Sequence, residues 1–314
     1  HLMHFFDIRC FNNRNDFEII DLIQYDSLKN LHYEPSDIVL IMRFFPTGFH
    51  LPKAYRTLIW IHDIPDFNVF LGNDTVKVEY YRNRPKIFKS FIEPILANKS
   101  IIFIANSYHT KEMFLTFIKK HSRIQTFDKC EVIYNIMYAD EFDICPCEKI
   151  PKRLLYASAW QKGIEKIIDV YRHIIKQDPE YTLALCSPGY DWEKFKDYAN
   201  KLQSEFGEKL WIYGPSTRKE LSRIIKESMC CLTPVFNETF GCLFAECYFL
   251  GTPVIGDIRS GAVREIIGDE HIVDYNSAEK LWEILNKSIS EKPHLNDVFY
   301  HLLNPKTWQA SSKQ

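Results

Sequence analysis

Pro234-Val-Phe-Asn-Glu238-Thr-Phe-Gly-Cys-Leu-Phe-Ala-Glu246-Cys-Tyr-Phe-Leu-Gly-Thr-Pro-Val-Ile255 decides the fold of this chain. The β-branched and apolar run Met229–Thr233 reads as a strand entering a loop, and the loop leads into a helix expected from near Thr239. That helix stops at Gly251, and a second strand follows from Pro253. Glu238 and Glu246 stand eight residues apart, slightly over two helical turns, a spacing that lets both carboxylates face one cleft. The backbone N–H groups of Phe240, Gly241 and Cys242 point out of the expected helix N-terminus. With a glycine allowing close approach, such an end suits a diphosphate.

Strand and helix signals alternate around this stretch. Arg153–Ala157, Thr182–Cys186, Lys209–Tyr213, Pro253–Gly256 and Ile272–Tyr275 read as further strands. The clearest helix begins at Gly163, where Ile164, Ile167, Ile168, Tyr171 and Ile175 mark one face. Before residue 150, Phe17–Leu22, Asp37–Met42, Thr57–His62, Ile101–Ala105 and Glu131–Tyr134 look like buried strands, with helical segments near Val76–Ala97 and Ser107–His121. Strands alternating with helices imply βαβ units and parallel sheets. Only Gly48 and Gly72 precede residue 150, so the tight turns belong to the second half. Ala139–Lys152, with two prolines and no periodicity, reads as a linker. Two α/β domains are expected, residues 1–145 and 150–292, with 293–314 as a helix crossing back onto the first. A cleft lies between the carboxyl ends of two such sheets, where ligands bind.

Composition narrows the partners. The 314 residues net −2, with 18 basic against 19 acidic residues up to Ile150 and 21 against 22 after it, so no half has the excess that nucleic acid demands. The longest apolar runs are strand-sized, short of a membrane span. His1-Leu2-Met3-His4 lacks the basic and apolar parts of a signal peptide. Nine cysteines, an odd and scattered set, fit reduced thiols, and Cys145-Pro-Cys147 alone is an incomplete zinc site. The expected location is cytoplasmic. The Asn-, Ile-, Lys- and Tyr-rich usage points to an AT-rich genome, a bacterium or a large virus, and for a virus the location is the host cytoplasm.

Glu238-Thr-Phe240-Gly241, Ala245-Glu246 and Gly251-Thr-Pro253-Val-Ile255 together resemble the signature of the retaining GT-B glycosyltransferases of family 4, the glycosyl transferases group 1. The likeness continues in Tyr156-Ala-Ser-Ala-Trp-Gln-Lys162-Gly163, Leu210-Trp-Ile-Tyr-Gly214-Pro, Ile133-Tyr-Asn135, Ile104-Ala-Asn-Ser107 and Ile61-His62-Asp63. The resemblance implies two Rossmann-like domains: an acceptor domain and a donor domain binding a nucleotide sugar, UDP- or GDP-linked, whose sugar passes with retention to a hydroxyl of a glycan or glycoconjugate. It implies that Lys162, Gly163, Gly214, Phe240, Gly241, Cys242 and Glu246 hold the donor, with Glu246 on the ribose. Glu238, His62 and Asp63 would be the catalytic set. With no Asp-x-Asp in the chain, no metal or other cofactor is expected.

The sequence departs from the family in two places. The arginine usual before the lysine is missing from Tyr156-Ala-Ser-Ala-Trp160, and Arg9-Cys-Phe-Asn-Asn-Arg14 lacks the usual glycine pair. The phosphate clamp is then rebuilt from Lys162, helix N-termini and another cation, or the protein is a non-catalytic nucleotide-sugar or glycan binder. An NAD-dependent oxidoreductase lacks its G-x-G-x-x-G here. Bland readings stand beside these: Glu246 as a structural salt bridge, Glu238 as a dipole-complementing acid, Lys162 as solvated, His62 as a satisfied strand-end partner and Asp63 as a turn former. Phe44, Phe45 and Phe49 are candidate sugar platforms. The basic run Lys77, Arg82, Arg84, Lys86, Lys89, relieved only by Glu79, is either a solvated face or a surface for an acidic acceptor or a peripheral membrane contact.

Overall fold

A computed structural model of the chain describes residues 10–12, 18–20, 23–27, 37–42, 56–63, 66, 75–135, 142–143, 145–187 and 192–290. The expected return helix over 293–314, the aromatic candidates Phe44, Phe45 and Phe49, and parts of the linker and of the Arg9–Arg14 loop lie outside the described residues.

Strands β1 (Cys10–Asn12), β2 (Glu18–Ile20) and β3 (Ile23–Ser27) form a small sheet in which β3 pairs parallel to β1 and antiparallel to β2. The single strand expected over Phe17–Leu22 is thus one arm of a mixed sheet. A second sheet, β4 (Ile38–Met42), β5 (Arg56–Ile61), β6 (Ile101–Ala105) and β7 (Cys130–Val132), is parallel throughout in the order β4-β5-β6-β7. The helical stretch expected over Val76–Ala97 is two helices, α1 (Thr75–Arg82) and α2 (Pro85–Ala97). The break falls at Asn83-Arg84 because Pro85 disfavours helical geometry at the residue before it, while proline suits the first turn of the helix it opens. Helix α3 (Tyr108–His121) starts where Ser107 Oγ accepts a hydrogen bond from Thr110 N at 3.0 Å.

The third sheet contains β8 (Arg153–Ala157), β9 (Thr182–Cys186), β10 (Leu210–Tyr213), β11 (Cys230–Thr233), β12 (Val254–Asp257) and β13 (Ile272–Val273), all parallel in the order β10-β9-β8-β11-β12-β13. Helices α4 (Ile164–Gln177), α5 (Trp192–Phe206), α6 (Arg218–Glu227), α7 (Cys242–Phe249) and α8 (Gly261–Ile267) connect its strands, and α9 (Ala278–Ser290) follows the last. Leu154, Tyr156, Leu183 and Leu185 join one core with Ile164, Ile167, Ile168 and Tyr171 of α4. The alternate residues Leu155, Ala184 and Cys186 join another with Phe244, Ala245, Val263 and Ile266 of α7 and α8. Because strand side chains alternate, these are the two faces of one sheet, and burial of both explains the unbroken apolar strands. The buried stripe of α4 leans towards Val170 and Ile174, and Ile175, expected on it, is only half-buried.

The chain thus has a mixed α/β architecture in which the second and third sheets are parallel throughout. Ile167 is fully buried between α4 and the third sheet. Ile167→Ala should cost about 2–5 kcal/mol of unfolding free energy, read from denaturant melts, through lost burial and the cavity left behind.

Candidate functional site

Strand β8 ends at Ala157, and the chain makes a 3₁₀ turn over Trp160–Lys162 before α4. Gly163 is required there on two counts: its φ is +126°, and a Cβ would lie 2.8 Å from Pro234 Cγ. This close approach brings Lys162 beside the loop after β11, and Lys162 Nζ lies 2.9 Å from Glu238 Oε1. Lys162 therefore stands in the turn before α4, two residues ahead of its first residue, and it is ion-paired rather than merely solvated.

The loop from Asn237 to Gly241 is bounded by two left-handed residues, Asn237 at φ +59° and Gly241 at φ +86°. Helix α7 begins at Cys242, not near Thr239 as expected. A Cβ on Gly241 would lie 2.7 Å from Phe244 Cδ2, and the left-handed backbone there breaks the helical path. Thr239 is drawn away as well. Its Oγ1 donates to the carbonyl of His62 at 2.6 Å and accepts from Asn106 Nδ2 at 3.3 Å, while its own carbonyl accepts from Thr110 Oγ1 at 3.1 Å. The helical ladder opens with Phe244 N and Ala245 N, which both donate to Gly241 O. The amides of Gly241 and Cys242 thus precede the ladder at the end of a helix. Phe240 is buried against Tyr134, ring centroids 6.0 Å apart, so only its backbone is on offer to a ligand. Cys242 Sγ accepts from Asn135 Nδ2 at 3.7 Å.

Glu246 lies on α7 with its side chain only 7% exposed, and its Oε1 pairs with Nη1 of Arg218. Arg218 opens α6, whose start is set by a capping box: Thr217 Oγ1 accepts from Glu220 N at 3.2 Å and Thr217 N donates to Glu220 Oε2 at 2.7 Å. The Gly214 turn leads into this helix, its carbonyl accepting from Ser216 Oγ at 3.1 Å. Each of the two glutamates picked out by their spacing therefore meets a cation. Lys162 was singled out in the sequence, though not as the partner of Glu238, which lies 76 residues away. Arg218 was not, because it lies 28 residues from its partner and reaches it only through the packing of α6 against α7.

His62 and Asp63 end β5 on the opposite side of the cleft. Through its carbonyl His62 touches Thr239, next to Glu238, and its ring sits 5.0 Å from that of Trp60. Asp63 is exposed. A second contact between the sheets was not foreseen: Glu265 of α8 accepts from Tyr108 N at 3.0 Å, His109 N at 2.7 Å and Tyr134 OH at 3.0 Å. A carboxylate at the first amides of α3 satisfies unpaired donors and complements the helix dipole. Burial first, and then the charge of Glu265, push the Tyr134 phenol up, so that it remains a donor. Cys145 and Cys147 are exposed, and among the described residues no three His, Cys, Asp or Glu side chains gather as a metal site.

Residues 153–300 match the family described as Glycosyl transferases group 1. Solved structures with the same architecture include sucrose-phosphate synthase from Thermosynechococcus elongatus, at 17% identity and TM-score 0.53, covering 76% of this chain and 59% of that one. The α,α-trehalose 6-phosphate synthase of Burkholderia multivorans is similar at 10% identity and TM-score 0.56, with 82% and 64% covered. The Anabaena protein HepE, in complex with UDP and glucose, is similar at 16% identity and TM-score 0.51, with 75% and 62% covered. These neighbours are GT-B glycosyltransferases, and the chain spans less than two thirds of the length of each. No curated protein matches the chain.

Thr239→Val keeps the shape of the side chain and removes its hydrogen bonds to His62 and Asn106. A net hydrogen bond contributes about 0.5–1.5 kcal/mol, so amide exchange over 239–244 should speed up several-fold in hydrogen–deuterium exchange, while exchange in β8 and β9 stays as in the wild type.

Proposed function

We propose that this protein is a retaining glycosyltransferase that moves a sugar from a nucleoside-diphosphate donor to a hydroxyl of a glycan or glycoconjugate without a metal ion. The observation that carries this reading is the pairing of Lys162 with Glu238 at the carboxyl ends of β8 and β11, beside the first amides of α7. Ligands of parallel α/β sheets bind outside the carboxyl ends of the strands, and HepE, which shares this architecture, is in complex with UDP and glucose.

The Lys162 side chain is 48% exposed, and an ion pair so open to water contributes little, about 0–1 kcal/mol. An entering diphosphate therefore exchanges easily with Glu238 for the ammonium group. Lys162 and the amides of Gly241 and Cys242 then face the leaving diphosphate, and charge developing on it meets fixed donors. Glu238, released, turns to the donor sugar on the face where the anomeric bond is broken and remade. Glu246 takes the ribose hydroxyls, and until they arrive the Arg218 guanidinium is the charge partner of that nearly buried carboxylate. Gly163 and Gly214 admit the donor by backbone approach. His62 and Asp63 stand on the acceptor side, where an incoming hydroxyl must lie.

A second reading rests on Tyr156-Ala-Ser-Ala-Trp160, where no arginine joins Lys162 and Trp160 is wholly buried. On that reading the protein binds a nucleotide sugar or glycan without turnover.

A ligand that binds only the folded state raises its melting temperature, so UDP or GDP and their sugar conjugates at millimolar concentration should produce a shift with one base. Glu246→Gln should weaken that binding, whereas Glu238→Gln should keep it and lower donor hydrolysis and transfer at least tenfold. NMR of the product should give the anomeric configuration of the donor. Binding without any turnover would establish the non-catalytic reading. Wild-type activity in both variants would overturn the site.

A further inference from the structure

The proposed donor site does not use the basic run between β5 and β6, and that run gains a shape in the structure. In 75–90 five basic residues, Lys77, Arg82, Arg84, Lys86 and Lys89, meet one acid, Glu79, which lies 3.8 Å from Arg82. Three exposed side chains of the same α1–α2 hairpin are apolar. Val76 is 77% exposed, Tyr80, one turn on, is 46% exposed, and Ile87 in the first turn of α2 is 37% exposed. Val76, Glu79, Tyr80 and Arg84 line one shallow groove with Thr75 and Asn83, and the Arg84 guanidinium sits 5.2 Å above the Tyr80 ring.

The surface continues onto α3. The Phe88 and Phe117 rings lie 6.1 Å and 4.6 Å from the His121 ring, so the basic start of α2 and the basic end of α3, Lys119 and Lys120, are neighbours. His121 is held below its ordinary pKa, chiefly by burial and then by Lys120 and Lys89. The exposed cations of the two helices thus form one field.

Exposed apolar side chains also occur singly elsewhere, as at Trp211 and Phe236, but Val76, Tyr80 and Ile87 stand within a run of cations, whereas a surface for a soluble acidic polymer needs charge alone. Cations interleaved with apolar and aromatic side chains match the interface of a bilayer, where the apolar groups enter the headgroup region and the cations meet anionic lipid. We infer that the α1–α2 hairpin, with the end of α3, is a docking surface for an anionic lipid bilayer, touched by Val76, Tyr80 and Ile87 and held by Lys77, Arg84 and Lys86.

The inference does not depend on the chemistry at the cleft, and its test needs no substrate. The whole chain is floated with vesicles of phosphatidylcholine alone and of phosphatidylglycerol mixed with phosphatidylcholine. Binding is expected to the mixed vesicles only and to fall with added salt. Each cation near an anionic surface adds about 1 kcal/mol, roughly fivefold in partitioning, so the triple variant Lys77→Glu, Arg84→Glu, Lys86→Glu should bind at least about 100-fold more weakly. Val76→Ser with Tyr80→Ser, at exposed positions that leave the melting temperature unchanged, should weaken binding about tenfold. Failure to float with the mixed vesicles, or indifference to the triple variant, overturns the inference. So does unchanged binding in the serine variant, or heparin binding tighter than vesicle binding, either of which would mark an electrostatic surface for a soluble polyanion.

Discussion

The cleft depends on one side chain, Thr239. Its hydroxyl gives its hydrogen to the carbonyl that ends β5 and takes one from Asn106 at the end of β6, and its carbonyl is held by α3. A loop belonging to the third sheet is thereby shaped by the second. Two left-handed residues, Asn237 and Gly241, make the excursion sterically possible, and hydrogen bonds to the facing sheet make it stable. Glu238 is the immediate neighbour of the residue so held, and its carboxylate meets Lys162. Glu265 repeats the arrangement from α8 by closing the N-terminus of α3.

Buried charge follows a second rule in this protein. Arg153, 1% exposed on β8, has Glu227 at 3.1 Å and the Tyr213 hydroxyl as partners. Asp257, fully buried at the end of β12, accepts from Arg259 Nε and Nη2, each at 2.7 Å, and Glu246 has Arg218. An uncompensated buried charge is costly, so each is matched by a group of opposite charge, locally at Asp257 and across the fold at Arg153 and Glu246. At Glu246 the matching cation, Arg218, is 53% exposed, whereas Arg153 is 1% exposed. That difference separates the pair in the cleft from the pair at Arg153, which closes off a strand.

Much of the third sheet was legible because its strands are buried on both faces and its helices are amphipathic, two signals that are local in the chain. Arg153–Ala157 and Thr182–Cys186 were read to the residue. The reading slipped where a distant contact outweighs local preference. At Thr239, a residue compatible with a helix start, the pull of His62, Asn106 and Thr110 delays the helix to Cys242. Across Val76–Ala97, helical periodicity ran through a proline that divides it.

By itself the sequence determined that the chain is α/β with parallel sheets, that Glu238 and Glu246 flank a helix start that follows a strand, and that the run from Lys77 to Lys89 is basic. These follow from periodicity, burial preference and spacing, which act over a few residues. Only the tertiary structure decided that Arg218 is the partner of Glu246, that Lys162 rests on Glu238, that Glu265 closes α3 from the other side of the cleft, and that Val76, Tyr80 and Ile87 remain exposed. Hydrogen bonds and ion pairs between residues far apart in the chain depend on how sheets and helices pack. That packing is settled by the whole core at once, so no local window of sequence contains it.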